Sequence, residues 1–434
     1  MNLADYIKNQ LPYWPNWINL FLLRLNFAGK YSYGFSYVRF KKRIETIQPE
    51  RMLLDLVNYA IKHVPYYRNR YAHCSINSVD DFEKKIKYID KDEVMAHWDE
   101  FLSDEIDMTK ISVGTTGGTS GKSLKLIQPQ TRYVWELAFM HGIWHKCGWN
   151  YNTRAVIRNH HLNGRTFLIN PLTKEVIFDA FNTSDKYYQV IYKVIRSLHI
   201  QYVHSYPSTA FQFCKKCLEL GLDLSHIKAF ICGSEGITDV QNYFFKSHNI
   251  TICTWYGHSE KLILAGRDTD SHEFIPIREY GFVETLPLGI EGEGELVGTT
   301  FYNYAFPLIR YKTGDHAHFL HDIQGNLILK HIVGRWDKSV IYKCDGTYTS
   351  LTALNLHNNF LEHVDGIQYI QEKVGFLKIL VIKNKLYTMD DEKFIKQHVG
   401  KAMGGWQYVT VEYTDKLIFQ PNGKFLPLIS MITN

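Results

Sequence analysis

Ser112-Val-Gly-Thr-Thr-Gly-Gly-Thr-Ser-Gly-Lys-Ser123 is the stretch whose reading decides the rest of the chain. So dense a run of small and hydroxylated residues forms neither a stable helix nor a core strand. It suits a loop whose backbone N–H groups and hydroxyls wrap a polyanion, with Lys122 adding positive charge. Phosphate is the expected guest, and a plain surface loop is the bland alternative. A Walker A loop would need glycine five residues before Gly121, where this chain has Thr116, so an ordinary P-loop NTPase is disfavoured.

Four further fragments follow in order. Tyr256-Gly-His-Ser-Glu260 comes directly after a β-rich run, where a turn and a carboxylate can meet a ligand at a strand's C-terminal end. Tyr311-Lys-Thr-Gly-Asp315 puts an acid behind a glycine turn, an acceptor for two ribose hydroxyls. Gly334-Arg-Trp-Asp337 opens the last hundred or so residues, and Pro421-Asn-Gly-Lys-Phe-Leu-Pro427 holds a Gly-Lys turn near the end. Each alone is common on protein surfaces; their order and spacing carry the weight.

In that order the fragments resemble the adenylate-forming superfamily of acyl-CoA synthetases and adenylation domains. His63-Val-Pro-Tyr-Tyr-Arg68, Ser205-Tyr-Pro-Ser208, Gly233-Ser-Glu235 and Gly423-Lys-Phe425 resemble local signatures of its phenylacetate–CoA ligase branch, including CapK-like members linked to capsule polysaccharide. The resemblance runs from about Leu53 to Ile429. It implies a large N-terminal α/β domain with mixed, largely parallel sheets, residues 1–336, and a small mobile α+β lid, residues 337–434.

The resemblance also implies roles. Thr116, Gly117, Gly118, Thr119, Ser120, Gly121 and Lys122 would hold the β- and γ-phosphates of ATP. Ser234, Glu235, Tyr256 and Gly257 would line the adenine slot, and Asp315 would hold the ribose. Glu260 would help bind the magnesium that bridges the phosphates. Arg335 would approach the nucleotide from the domain boundary, and Asp337 would be the hinge. Lys424 would reach the carboxylate and α-phosphate, while Ser205, Tyr206 and His258 would face the acid. The implied activity is ATP-dependent conversion of a carboxylic acid to its acyl-adenylate, then acyl transfer to CoA by default. Alternatives are an amine acceptor on a sugar or amino acid, an adenylyl transferase delivering AMP, and a non-catalytic nucleotide-binding component. Departures include Leu426 after Gly-Lys-Phe, where many relatives carry Arg, and Lys338 after Asp337. No cysteine lies between Cys253 and Cys344, so the zinc of some relatives is not expected. His316, His318 and His321 read as solvated strand histidines rather than a replacement metal site.

Composition bounds the remainder. The chain has 434 residues, with 49 Lys or Arg against 44 Asp or Glu, a net charge of +5. That balance does not indicate a nucleic-acid partner. Seven scattered cysteines argue against a disulfide framework and for a reducing, cytoplasmic compartment. Cys214 and Cys217 fall in a helical pattern and read as buried thiols. Tyr, Phe and Trp make up 15% of the residues, mostly as core. The aromatic segment Leu11 to Phe27 lacks the features of a signal peptide or a spanning helix. It is expected to pack on the body of the protein, with membrane contact at most peripheral.

Periodicity predicts helices over Met52–Val64, Tyr133–Trp144, Tyr187–Leu198 and Ser208–Leu220. Strands are expected at Ile227–Ile231, Thr251–Trp255, Glu295–Thr299 and Leu327–Ile332. The tail reads as helix Leu351–Leu361, strand Phe376–Ile382, helix Asp391–Val399 and strand Tyr408–Tyr413.

Overall fold

The computed structural model describes residues 10–25, 29–115, 124–158, 160, 162, 164–234, 236–237, 239–268, 273–289, 291–333, 340–354, 363–418 and 428–432. The chain forms two compact units, one of Met1–Glu45 with Val134–Trp255 and one of Thr46–Tyr133 with Tyr256–Asn434. Strands are numbered along the chain. In the second unit, β1 (Ile111–Thr115) and β2 (Lys125–Pro129) pair antiparallel, with Thr115 opposite Lys125. The expected phosphate loop connects these two strands and lies outside the described residues.

The first unit carries β3 (Arg154–Ile157), β4 (Leu168–Asn170), β5 (Glu175–Phe178), β6 (Tyr202–Ser205), β7 (Ala229–Cys232) and β8 (Ile252–Gly257), the last of which leads into the second unit. Here β5, β3, β6, β7 and β8 lie side by side in that order, all parallel, and β4 pairs antiparallel with β5. Parallel neighbours need crossovers, and the helices Asp185–Ser197, Pro207–Glu219 and Asp239–Ser247 supply them. Local chemistry starts two of these helices. The Ser184 hydroxyl accepts the Tyr187 N–H at 3.3 Å, and Pro207 occupies the first turn of its helix, where its missing donor costs nothing. β3 and β7 are buried along their whole length, as parallel strands covered on both faces must be. Their core joins Ala155, Ile157, Val203 and Phe230 with Tyr188, Ile191, Ile195 and Phe213. Cys214 and Cys217 belong to this core, and burial pushes the Cys217 thiol up to about 12. Cys147 and Cys253 depart from the expectation of unpaired cysteines. The helix Arg132–Lys146 ends alongside β8, bringing their Cα atoms to 6.0 Å, and the two are joined as a disulfide.

The second unit continues with β9 (Leu264–Arg267), β10 (Phe274–Pro276), β11 (Gly281–Pro287), β12 (Glu293–Thr300), β13 (Tyr311–His321) and β14 (Leu327–Val333). These pair antiparallel in the order β11-β12-β13-β14-β10-β9. The mixed α/β character is as expected, with the five-strand parallel run in the first unit. Strand β13 shows the period-two logic most clearly. Tyr311, Thr313, Asp315 and Ala317 are buried on one face, while Gly314, His316 and His318 are exposed on the other. His318 pairs there with Glu293 at 3.0 Å, in keeping with a solvated strand face. The helix Pro49–His63 buries Leu53, Leu56, Val57 and Ala60 in the core of this unit, with Phe301, Phe306 and Ile309.

The tail of the second unit has β15 (Val340–Tyr342) paired with β16 (Tyr348–Ser350), then β17 (Val364–Gln371), β18 (Leu377–Lys383), β19 (Val409–Tyr413) and β20 (Leu428–Ser430). The last four form a sheet ordered β19-β18-β17-β20. The helix Met389–Met403 links β18 to β19 and starts at a capping box, where Asp391 accepts the Thr388 N–H at 2.7 Å. The expected helix Leu351–Leu361 is a 3-10 turn at Leu351–Leu354, and its remainder lies outside the described residues.

Candidate active site

Two of the expected site groups come together in the second unit. Tyr256, at the end of β8, donates its hydroxyl to Asp315 Oδ2 at 2.7 Å. Burial, with the Asp315 charge beside it, raises the phenol well above its ordinary range, so it stays protonated and donating. Asp315 is held from behind: its N–H donates to Thr313 Oγ1 at 3.1 Å, and that hydroxyl donates to Leu296 O at 2.7 Å. Gly314 between them takes φ +73°, a turn that a side chain would strain, and its N–H donates to Glu295 at 3.0 Å.

Glu260 is buried and accepts the His258 Nδ1–H at 3.0 Å. The other ring nitrogen, His258 Nε2, is buried without a partner among the described residues. The turn bearing these groups is fixed from three sides. Gln128 donates to Ser259 O at 3.2 Å, Lys261 N–H returns to His258 O at 3.1 Å, and Leu262 packs on the sheet. There the backbone approaches so closely that a Cβ at Gly281 would meet Leu262 O at 2.2 Å. Gly257 is likewise crowded by the Leu264 side chain at 3.3 Å.

In the first unit the expected groups stand just beyond the carboxyl ends of adjacent parallel strands, where open α/β sheets bind ligands. Tyr206 follows β6 and Ser234 lies two residues past β7. Sequence reading missed the residue that joins them, Arg158, directly after β3. Its guanidinium donates to Ser234 Oγ at 3.0 Å and to His204 Nε2 at 2.8 Å, and lies 4.5 Å from the centre of the Tyr206 ring. Its position one residue past an apolar run was the available signal. Arginine offers no acceptor, so His204 Nε2 accepts and the ring proton sits on Nδ1. Burial, with Arg158 and Arg154 nearby, holds His204 well below the usual imidazole range. Ser234 sits at φ +70°, and a Cβ at the preceding Gly233 would overlap the Trp255 ring at 2.3 Å. Ser205 is fully buried, its hydroxyl 3.6 Å from Cys232 Sγ.

Behind these residues, Trp144 touches both His204 and His141, at ring-centre distances of 5.1 and 5.0 Å. His204 Nδ1, Trp144 Nε1 and His141 Nε2 are all buried and without partners among the described residues. Three such atoms, on two imidazoles that flank one indole, leave a concentrated unmet demand for hydrogen bonds.

Thr116, Gly117, Gly118, Thr119, Ser120, Gly121, Lys122, Glu235, Arg335, Asp337 and Lys424 lie outside the described residues. Among the described residues no three His, Cys, Asp or Glu side chains gather as a metal cluster.

No family model and no curated protein matches the sequence. Solved structures do match. A 2-hydroxyisobutyryl-CoA ligase, in complex with 2-HIB-AMP and CoA in the thioesterification state, aligns with a TM-score of 0.51 at 13% identity, covering 90% of each chain. The amide bond synthetase McbA from Marinactinospora thermotolerans aligns at 0.41 and 16% identity over 73% of this chain and 68% of its own. The o-succinylbenzoate CoA synthetase MenE from Bacillus subtilis aligns at 0.40 and 15% identity, over 81% and 75%. The likeness to the first is one of fold: this chain is built like 2-hydroxyisobutyryl-CoA ligase.

Proposed function

We propose that this protein is an ATP-dependent ligase that activates a carboxylic acid as its acyl-adenylate and passes the acyl group to the thiol of CoA. The observation that carries the reading is the hydrogen bond from Tyr256 to Asp315, which joins two separate sequence motifs in one buried site. Asp315 would take the ribose hydroxyls and Tyr256 and Gly257 the adenine, with Ser234 and Glu235 completing that slot. Thr116 to Lys122, whose small residues suit phosphate, would hold the β- and γ-phosphates.

The fold neighbour bound to an adenylate and CoA supports the same chemistry. A carboxylate must attack the α-phosphorus of ATP, so two anions have to approach. Lys424 and Lys122 would offset that repulsion and stabilise charge building on pyrophosphate. Glu260 fits magnesium as a buried oxygen donor, the remaining ligands being phosphate oxygens and water, as that ion prefers. Bound there, the ion would supply charge neutralisation at the phosphates.

In this reading residues 1–336 form the adenylating body and 337–434 a lid turning about Asp337, with Arg335 beside the hinge. Rotation would withdraw Lys424 and open the site to the thiol, separating two chemistries that share one intermediate. The acid would lie near Ser205, Tyr206 and His258. The unmet hydrogen bonds of His204, Trp144 and His141 favour an acid bearing hydroxyl or carbonyl groups over a plain alkyl chain. A cytoplasmic enzyme supplying an acyl group to surface polysaccharide fits this reading.

Pyrophosphate exchange dependent on one member of a broad acid panel tests the proposal. Exchange with no acid, in a preparation that binds ATP, would overturn it. Trapping with CoA, amines and hydroxyl acceptors then identifies the second substrate by product mass.

A further inference from the structure

From Tyr6 to Ile44 the chain contains no Asp or Glu but seven basic residues and eleven aromatic ones. In the first unit, the helix Asn16–Arg24 turns one side inward. Asn19 is buried and donates its amide to Leu11 O at 2.8 Å, while Leu20 and Leu23 pack against the core. The other side is left open. Trp17 is 73% exposed, Phe21 61% and Leu25 48%. At 100° per residue Trp17, Phe21, Arg24 and Leu25 share an arc of about 100°. Large apolar rings on one helix face, with none of the described residues covering them, mark a contact surface.

Charge says what covers it. Arg24, Lys30, Arg39 and Lys42 are exposed, and no acidic side chain within the segment offsets them. A second copy of the chain would bring the same positive segment to the contact and be repelled. We propose that this segment is a docking surface for an anionic lipid bilayer. The helix lies in the headgroup region with Trp17, Phe21 and Leu25 inserted and the basic side chains against lipid phosphates. No helix among the described residues is long and apolar enough to cross a membrane, so the contact is a surface one.

Sedimentation of the full chain with phosphatidylcholine vesicles, with and without phosphatidylglycerol, tests this. The expected result is binding only to the anionic vesicles, weakened roughly tenfold or more by Trp17→Ser with Phe21→Ser, by Arg24→Gln with Lys42→Gln, and by high salt. Circular dichroism confirms that each variant is folded. The proposal is overturned by absence of binding, by equal binding to neutral vesicles, or by binding that neither variant pair changes. It is also overturned if Trp17→Ser with Phe21→Ser converts a dimer to a monomer in light scattering, since the face is then a contact between copies.

Discussion

The Tyr256 hydroxyl donates to the Asp315 carboxylate at 2.7 Å across 59 residues of sequence. β13 buries Asp315 because its register places that residue on the same face as Tyr311 and Thr313, and β8 ends where its last tyrosine can reach it. A buried carboxylate with a fixed donor is preorganised: its orientation is settled before any ligand arrives.

Removing that donor therefore costs binding. Tyr256→Phe keeps the ring but leaves Asp315 short of one hydrogen bond to a charged acceptor, about 1.5–3 kcal/mol. The expected outcome is an ATP KM raised roughly tenfold or more, with a smaller change in kcat. Initial-rate pyrophosphate exchange against ATP concentration measures it. An unchanged KM would mean that the Asp315 carboxylate is oriented well enough without the Tyr256 hydroxyl.

Glu260→Gln separates a structural carboxylate from a metal-binding one. The amide is nearly isosteric and can still accept from His258, so thermal stability should change by about 1 kcal/mol or less. If Glu260 holds magnesium, exchange should fall on the order of a hundredfold and recover in part at high magnesium. Activity that falls without any change in magnesium dependence would assign Glu260 to positioning the turn.

Much of this was legible in the sequence, and the reasons for the limits are physical. Helices such as Pro49–His63 and Pro207–Glu219 announce themselves through apolar spacing and a proline in the first turn. The antiparallel pairing of β9 to β14 does not, since strand partners are set by long-range register rather than local pattern. Tyr256, Glu260 and Asp315 sit in recognisable short motifs, whereas Arg158 stands alone in sequence and acquires its role only when β3, β6 and β7 align. The Cys147–Cys253 pair likewise depends on where a helix end meets a strand.

Lys424→Ala tests the two-step scheme. A lysine that serves only the first half-reaction should, when removed, abolish acid-dependent pyrophosphate exchange. Acyl transfer from a synthetic acyl-adenylate should be largely spared. Equal loss in both assays would contradict the lid rotation about Asp337.

The buried imidazoles predict how stability responds to acid. Burial, aided by Arg154, holds His141 down to about 2, and His204 is likewise held well below the usual range. Both are neutral in the folded chain, while the unfolded chain takes up their protons near pH 6.5. The unfolded state therefore binds more protons as pH falls, and stability drops below about pH 6.5, toward the depressed folded values. Two such groups give a slope of about 2.7 kcal/mol per pH unit, enough to consume a typical folding free energy of 5–15 kcal/mol within a few units. Urea unfolding midpoints at pH 7.5, 6.0 and 5.0 should fall steeply across the lower interval. His204→Asn should be less stable at neutral pH, because it leaves Arg158 without its imidazole acceptor, yet show a shallower pH slope than the parent chain. A midpoint that stays level down to pH 5 would mean that both imidazoles find a proton acceptor in the folded chain.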